Sequence, residues 1–259
     1  MKNLKDIIQE RLHINKDTGN HPNHYYNYHP KSNAELKELV DKLIKERGND
    51  ADLNDIDTSE ITDMSYMFTY SSFDGDISQW DVSNVKNMQE MFYNSKFTGE
   101  NGDISNWDVS NVNNMKYMFC YSEFNVDISN WDVSNVKGMY YMFCLSKFTG
   151  ENGDISKWDV SNVRSMNSMF KSSEFNGDIS NWDVSNVEDM RYMFSNSKFT
   201  GENGDISNWN VRKVKDMSYM FYISKFNGDI SNWDVSNVKN IEGMIYDSPL
   251  EKNPPKWYK

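Results

Sequence analysis

Residues 103–125 read DISNWDVSNVNNMKYMFCYSEFN, and close copies of this stretch fill most of the chain. Tryptophan marks the period, because it falls at positions 80, 107, 131, 158, 182, 209, 233 and 257, with spacings of 27 or 24 residues. All 14 Phe and nearly all of the 16 Met lie in the same frame. A period of this length is typical of proteins in which one small structural unit is stacked many times.

Every second copy is longer by three residues, because it carries FTGENGD where its neighbour carries FNGD or FNVD. The extra residues occur at 98–100, 149–151 and 200–202, so the larger period is 51 residues. Insertions in stacked repeats lie on one side of the stack. Two interpretations stay open: a loop that was copied with a two-unit block, and a functional ridge of TGEN loops.

The order of apolar residues within one copy predicts a short strand followed by a short helix. The stretch 107–110 alternates apolar and polar side chains, which is typical of a strand, and Met115, Met118 and Phe119 recur at helical spacing. We therefore predict an α/β solenoid, a leucine-rich-repeat-like stack of about eight units of 24 or 27 residues with an N-terminal helical cap. The structural core in this prediction is the tryptophan column: Trp80, Trp107, Trp131, Trp158, Trp182, Trp209 and Trp233.

The chain divides into three predicted regions. Residues 1–51 form an N-terminal cap of helices and a His- and Tyr-rich loop, residues 52–248 the repeat solenoid, and residues 249–259 a C-terminal cap with Pro and Trp. Within the first region one helix is predicted near 4–12, and another between the capping box of Ser32 and Glu35 and the stop at Gly48. Terminal repeats need such caps because their outer faces have no neighbouring unit.

Composition excludes several classes of function. The chain of 259 residues carries 27 basic and 39 acidic side chains, a formal charge of −12, whereas a nucleic-acid binder needs a basic footprint. No run of apolar residues is long enough to insert into a membrane, and two cysteines make no disulfide framework. The first residues lack a secretory pattern, which favours a cytoplasmic location, in a bacterium or a phage-infected cell, over the cell surface.

A column of acidic residues is the candidate site for a partner. In the predicted strand Trp and Val point inward, so the residues between them point outward and recur in every unit. Each carboxylate either accepts hydrogen bonds from neighbouring Ser, Asn or backbone groups, or forms an acidic concave face for a basic protein; the two interpretations are compatible. The candidate residues are Asp81, Asp108, Asp132, Asp159, Asp183 and Asp234, together with Lys157 and Arg212, which place basic charge on the same face.

Two further columns are interpreted as structural. A second Asp column, from Asp76 to Asp229, follows each Asn-Gly turn, and we expect these side chains to cap the turn. The Asn of each DVSNV motif, such as Asn111, is expected to satisfy backbone groups of a turn. Identical copies in every repeat are typical of a scaffold and not of one unique site.

Neither a metal centre nor an active site is predicted. His21, His24 and His29 are weak candidates for a transition metal, because imidazole suits zinc, copper or nickel, but no Cys or well-placed carboxylate completes their set. None of the hydrolase, Walker or zinc-protease motifs occurs in the sequence. We predict no cofactor, no catalytic residue and no enzymatic activity.

The motif DISxWDVSNVxxMxxMFxxxxxFNG resembles the BspA-like leucine-rich-repeat surface proteins. It is also similar to a related repeat family of unknown function in mycoplasmas and gut bacteria. The resemblance covers about residues 52–259. It implies a stack of repeats and, for some members, adhesion to host or partner proteins at the cell surface, and it implies no catalytic residues.

The sequence therefore predicts a non-enzymatic repeat scaffold that binds a macromolecule, most simply a protein, through the acidic strand face. One alternative is a bacterial cell-surface adhesin that binds host protein or glycan. A second is a phage-encoded acidic decoy that inhibits a DNA-binding or defence protein. We expect no nucleic-acid partner and no membrane insertion, and either a monomer or a weak end-to-end dimer.

Overall fold

The computed structural model describes residues 15–16 and 25–258. Its elements, in chain order, are β1 (Asn15–Lys16), β2 (Tyr25–Tyr26), α1 (Asn33–Arg47) and a 3-10 helix (Pro249–Glu251). β1 and β2 pair antiparallel. The helix predicted near 4–12 lies outside the described residues. No helix in the described part of the chain is long and apolar enough to cross a membrane.

α1 is the helix that the sequence predicts between Ser32 and Gly48. Ser32 Oγ accepts a hydrogen bond from the Glu35 N–H at 3.3 Å, and Gly48, with φ of 100°, donates its N–H to the carbonyl of Ile44. The Glu35 carboxylate accepts from the N–H of Lys31 at 2.8 Å, one residue before the position that a capping box uses. Side chains of the first turn therefore satisfy backbone donors at the start of the helix.

The rest of the described chain is a stack of repeat units. Parallel one-residue β-bridges join each unit to the next, from Asp63–Asn87 to Asp216–Asn240. Adjacent units are also joined by backbone hydrogen bonds, such as that from Met64 N–H to Asn87 O at 2.9 Å. Each unit begins at an Asp, and we number them as unit 1 (52–75), unit 2 (76–102), unit 3 (103–126), unit 4 (127–153), unit 5 (154–177), unit 6 (178–204), unit 7 (205–228) and unit 8 (229–248).

The short helix predicted in each unit is wrong. Where it was expected, the described chain makes overlapping turns closed by bonds such as Met91 N–H to Met88 O, and two residues per unit adopt a left-handed conformation. In unit 3 these are Tyr117 and Tyr121, with φ of 57° and 60°. A right-handed helix cannot pass through such residues. Alternate N–H groups of the segment donate to the next unit instead, so bonds between units replace the bonds of a helix.

The short strand predicted in each unit is also wrong. Trp80 N–H donates to Ile77 O, and Val85 N–H donates to Val82 O, so the stretch 80–85 lies within two tight turns. The inward and outward alternation nevertheless holds. The Trp80 and Val82 side chains are buried, whereas the residues between and after them are partly exposed. The ladder between units lies further along the chain, at the residue before the first Met of units 1–7 and at the equivalent Asn240 of unit 8.

Aromatic columns fill the core of the stack. The Phe of each MF pair, from Phe68 to Phe221, stacks on its copy in the next unit with ring centroids 5.4–5.8 Å apart. The Trp side chains of units 2–8 are buried and Trp257 is half-buried. Each Nε1 except that of Trp107 donates to an Ile or Leu carbonyl of the preceding unit at 2.9–3.2 Å. Trp107 Nε1 is buried without a partner. Burial of aromatic rings in continuous columns allows a chain with few apolar residues to form a core.

The TGEN insertions form a defined turn in the longer units. Gly99 has φ of 86°, and Thr98 donates its N–H to Asp74 Oδ1 of the preceding unit at 2.8 Å. Thr149 and Thr200 make the same contact with Asn125 and Asn176. The insertion is therefore anchored to the neighbouring unit at all three positions.

Candidate functional site

The candidate acidic column lies on tight turns and not on strands. Each Asp accepts, through Oδ1, a hydrogen bond of 3.0–3.2 Å from the N–H of the residue two positions later. The side chain of Asp81 is half-buried, whereas Asp108, Asp132, Asp159 and Asp183 are exposed. The backbone therefore fixes each carboxylate while its charge faces solvent.

The second Asp column runs beside the first. Its members accept from the Ser N–H two residues later, at 2.8 Å in every unit from 2 to 8. One hollow is lined by Asp81, Asp103 and Asp108, so the two columns meet at the junction of units 2 and 3. We call these two Asp columns the acidic face. Turn capping, which the sequence predicts for the second column, occurs in both.

Hydrogen bonds lower the pKa of some carboxylates of the acidic face, among them Asp132 and Asp183. Ser134 lowers the pKa of Asp132 below its usual value through two hydrogen bonds. The bond from its side chain has the larger effect and the bond from its backbone the smaller. Ser185 lowers the pKa of Asp183 in the same way. Like charges on neighbouring units repel, and the donors beside Asp132 and Asp183 oppose the protonation of these two side chains that would relieve the repulsion.

Basic residues interrupt the acidic face at two places. Arg212 is exposed, and its Nε donates to Asp234 Oδ2 at 2.9 Å. Lys157 is also exposed, and its charge adds to the bonds from Ser156 that lower the pKa of Asp154. In unit 7 Asn210 replaces the Asp, yet its Oδ1 still accepts from the Arg212 N–H at 3.3 Å. The turn therefore persists without the charge.

The Asn side chains of the DVSNV motifs join units. Each donates from Nδ2 to a backbone carbonyl of the preceding unit at 2.7–2.9 Å, as Asn111 does to Ser83 O. These donors satisfy carbonyls that the turns leave open. The amide groups of these Asn side chains therefore hold adjacent units together.

Only one of the three candidate metal ligands can be placed. His29 Nδ1 lies 3.0 Å from Asp57 Oδ2, while His21 and His24 lie outside the described residues. Within residues 15–16 and 25–258 no three His, Cys, Asp or Glu side chains form a group suited to a metal ion.

The structure reveals a tyrosine-rich surface that the sequence reading missed. Fifteen non-glycine residues of the described chain have positive φ, and all lie in the turn segment of a unit. Among them Tyr66, Tyr70 and Tyr121 are between 46% and 68% exposed. Of these fifteen, only Asn94, Asn196 and Asp247 have residue types that usually accept this conformation. The recurrence of Tyr two residues after the first Met was the available signal.

A basic column was also missed. Lys86, Lys137, Arg164, Lys215 and Lys239 occupy equivalent positions, directly after the Asn-Val of the DVSNV or equivalent motif. Glu188 occupies that position in unit 6, and its carboxylate forms an ion pair with Lys215. The column lies between the acidic face and the tyrosine-rich turns in each unit.

Comparisons with known proteins identify a family and no further relative. Neither a curated protein nor a solved structure matches the chain. A family model matches residues 35–151 and again 144–257, which together include nearly all of α1 and the whole stack. This result supports the resemblance to the mycoplasma repeat family. The chain belongs to the family described as Mycoplasma protein of unknown function, DUF285.

Proposed function

We propose that this chain is a non-enzymatic scaffold, a solenoid of stacked turn units, that binds a basic segment of a protein through its acidic face. The observation that carries the proposal is the arrangement of carboxylates. On consecutive units Asp108, Asp132, Asp159 and Asp183 are exposed, and each is fixed by a backbone N–H.

Fixed carboxylates favour binding because little side-chain freedom remains to be lost when a partner arrives. Successive units lie ~4.8 Å apart where their backbones pair. A Lys- or Arg-rich segment that follows the stack can therefore contact several carboxylates. Opposite charge also steers the encounter, and this contribution falls as salt screens it.

Asn210 supplies the design for the test. Because Asn210 keeps the turn without the charge, the change of Asp108, Asp132, Asp159 and Asp183 to Asn should remove charge and retain the turns. The matched control changes Glu100, Glu151, Glu174 and Glu202 to Gln. These four Glu side chains have no ion pair among the described residues, and their loss changes the net charge equally.

The experiment is capture from a lysate of the source cells with the parent chain and both variants as baits, at two salt concentrations. We expect a basic protein that binds the parent and the Glu variant, with an affinity about tenfold weaker for the Asp variant. Equal capture by all three baits would contradict the proposal. So would the loss of the same protein from both variants.

The same assay separates the two alternatives. An acidic decoy would retain a DNA-binding protein that duplex DNA displaces from the bait. An adhesin would capture nothing from lysate and would bind intact host cells or glycans in a way that the Asp variant does not change.

A further inference from the structure

A group of cations lines two adjoining hollows on this otherwise acidic chain. The first hollow is formed by units 4–7 and the second by units 6–8, and Glu188 and Lys213 belong to both. We call the cations of these hollows the basic stripe: Lys137, Arg164, Lys213, Lys215 and Lys239, with Arg212 at one edge.

The stripe is continuous along the stack. Lys215 donates its N–H to Glu188 O, and Lys239 donates its N–H to Lys215 O, each at 2.8 Å. Glu188 donates its N–H to Arg164 O at the same distance. These side chains are therefore direct neighbours from unit to unit, ~4.8 Å apart at the backbone.

Four of the six cations of the stripe form no ion pair among the described residues. Among the described residues Lys137, Arg164 and Lys239 form no ion pair, and Lys213 Nζ donates to the neutral Asn186 Oδ1 at 2.6 Å. The only carboxylate that lines the two hollows is Glu188. Lys137, Arg164 and Lys239 are exposed, so their charges are available to a ligand.

Glu188 shows which chemistry this surface accepts. Its carboxylate bonds to Lys215 Nζ, and that bond, with the nearby charges of Arg164 and Lys213, lowers the pKa of Glu188 below its usual value. A carboxylate at the centre of the stripe is thus contacted or attracted by three cations. The side chain remains 42% exposed, so it can move aside.

We propose that the basic stripe binds a short carboxylate-rich segment of a polypeptide, and that Glu188 occupies part of this site when the segment is absent. The segment lies along units 4–8, with its carboxylates on Lys137, Arg164, Lys215 and Lys239. This site meets the acidic face only at Arg212, which the proposed contacts do not use, and it stands whether or not a basic partner binds to the acidic face.

Net charge limits the length of the ligand. The chain carries −12 overall, so a long polyanion such as nucleic acid would extend beyond the stripe and meet a repulsive field. A short segment remains within about one Debye length, ~8 Å at physiological salt, of the cations it contacts. The carboxylate of Glu188 favours a carboxylate ligand, and Arg164 can hold a carboxylate in bidentate fashion.

The test measures binding of a fluorescent octaglutamate peptide to the full chain by anisotropy at low salt. Glu188→Gln should raise the affinity about fivefold, because it removes the competing carboxylate and frees Lys215. Changing Lys137, Arg164, Lys215 and Lys239 to Gln should lower the affinity at least about tenfold. A neutral octaglutamine peptide should not bind.

The control removes four lysines from another part of the units. Lys96, Lys147, Lys198 and Lys225 precede the Phe of the SKF motifs, and Lys147 and Lys225 follow Lys137 and Lys215 by ten residues. Their change to Gln alters the net charge equally and should leave the affinity within about twofold of the parent, apart from the general charge effect.

Four results would overturn the proposal. Equal weakening by both sets of four changes would show a general charge effect. Unchanged or weaker affinity of Glu188→Gln would show that Glu188 does not occupy the site. An oligonucleotide that binds the stripe more tightly than octaglutamate, or self-association in sedimentation that the stripe variant abolishes, would assign the surface to another occupant. The Asp variant of the acidic face should bind octaglutamate at least as well as the parent, so failure here and failure of the proposed function are distinguishable.

Discussion

The two ends of the stack are closed in different ways. At the N-terminal end α1 buries Leu36, Val40 and Leu43 completely, and Asn33 Nδ2 donates to the carbonyls of Asp63 and Ser65 at 3.1 Å each. At the C-terminal end a 3-10 helix contributes Leu250, and Trp257 donates to Ile230 O at 3.0 Å. The first end has a helix with a buried face, and the second has a short tail.

The direction of the hydrogen bonds explains why the ends differ. In the turn segments the N–H groups of one unit donate to the carbonyls of the next. Unit 1 therefore presents carbonyls, which Asn33 can satisfy, whereas unit 8 presents N–H groups. In the described chain the N–H groups of Ile241, Gly243 and Ile245 have no acceptor. An edge of this kind favours pairing with another chain and needs a cap.

The largest expected difference comes from the apolar contacts at the two ends. Leu36→Ala should lower the free energy of unfolding by about 2–5 kcal/mol, since it truncates a fully buried side chain on the inner face of α1. Leu250→Ala, at 6% exposure in a three-residue helix, should cost about 1–2 kcal/mol, because the tail can relax around the cavity. Urea unfolding followed by tryptophan fluorescence measures both values. Equal losses would mean that the two caps stabilise the stack equally.

Asn33 tests whether α1 caps the backbone as well as the apolar edge. Asn33→Ala leaves two half-buried carbonyls without a donor, so it should cost about 1–3 kcal/mol. The control is Asn237→Ala in unit 8, which removes one donor from the exposed Arg212 carbonyl and should cost less than about 1 kcal/mol, because water can replace it. Hydrogen exchange should show faster opening of unit 1 in the first variant only.

The ion pair of Arg47 and Asp55 makes the N-terminal end sensitive to pH. Burial raises the pKa of Asp55, but bonds from Arg47, at 2.9 Å, and Asn27 more than offset this and lower it. A lowered folded pKa gives stability that is present above the unfolded value near 4 and is lost as the pH falls through the folded value. Arg47→Gln should therefore cost about 1 kcal/mol at pH 7 and less at pH 3.

Lys252→Gln is the matched change at the other end. No described residue from 241 to 258 forms an ion pair, so this variant should have the same unfolding free energy as the parent at both pH values. A pH-dependent difference for Lys252→Gln, or none for Arg47→Gln, would contradict the assignment.

The sequence predicted the repeat register and which side chains are buried better than it predicted the backbone. The spacing of Trp107 and Val109 indicates inward and outward positions correctly, because burial alternates in tight turns as it does in a strand. Helical spacing of Met115 and Met118 fits a helix and a series of turns equally well. Only φ distinguishes them, and Tyr117 and Tyr121 are residue types that seldom adopt the left-handed conformation.

The sequence predicted the acidic column and, as one of two compatible interpretations, the hydrogen bonds that each Asp accepts. The acidic column was visible because its residues repeat, but the sequence did not show that the donor to each Asp is the N–H two residues later, within a tight turn. The basic stripe was missed because its positions vary: Lys137, Arg164 and Glu188 are equivalent in the structure and differ in type. A column becomes visible in a sequence only when its residue type is constant.

The smallest expected effect concerns the last tryptophan. Trp257 is half-buried, and its Nε1 bond to Ile230 O is accessible to water, so Trp257→Phe should cost about 0.5 kcal/mol. Trp233→Phe breaks the equivalent bond to Ile206 O at a buried position and should cost about 1–3 kcal/mol.

Trp107→Phe is a control for ring packing, because the Nε1 of Trp107 is buried without a partner and this change breaks no hydrogen bond. If the bond to the preceding unit is what the tryptophan column contributes beyond packing, the losses measured by urea unfolding will rank Trp233 above Trp257 and Trp107. A loss for Trp107→Phe as large as that for Trp233→Phe would instead assign the contribution of the column to ring packing, and the two ends would then differ only in how much apolar surface they bury.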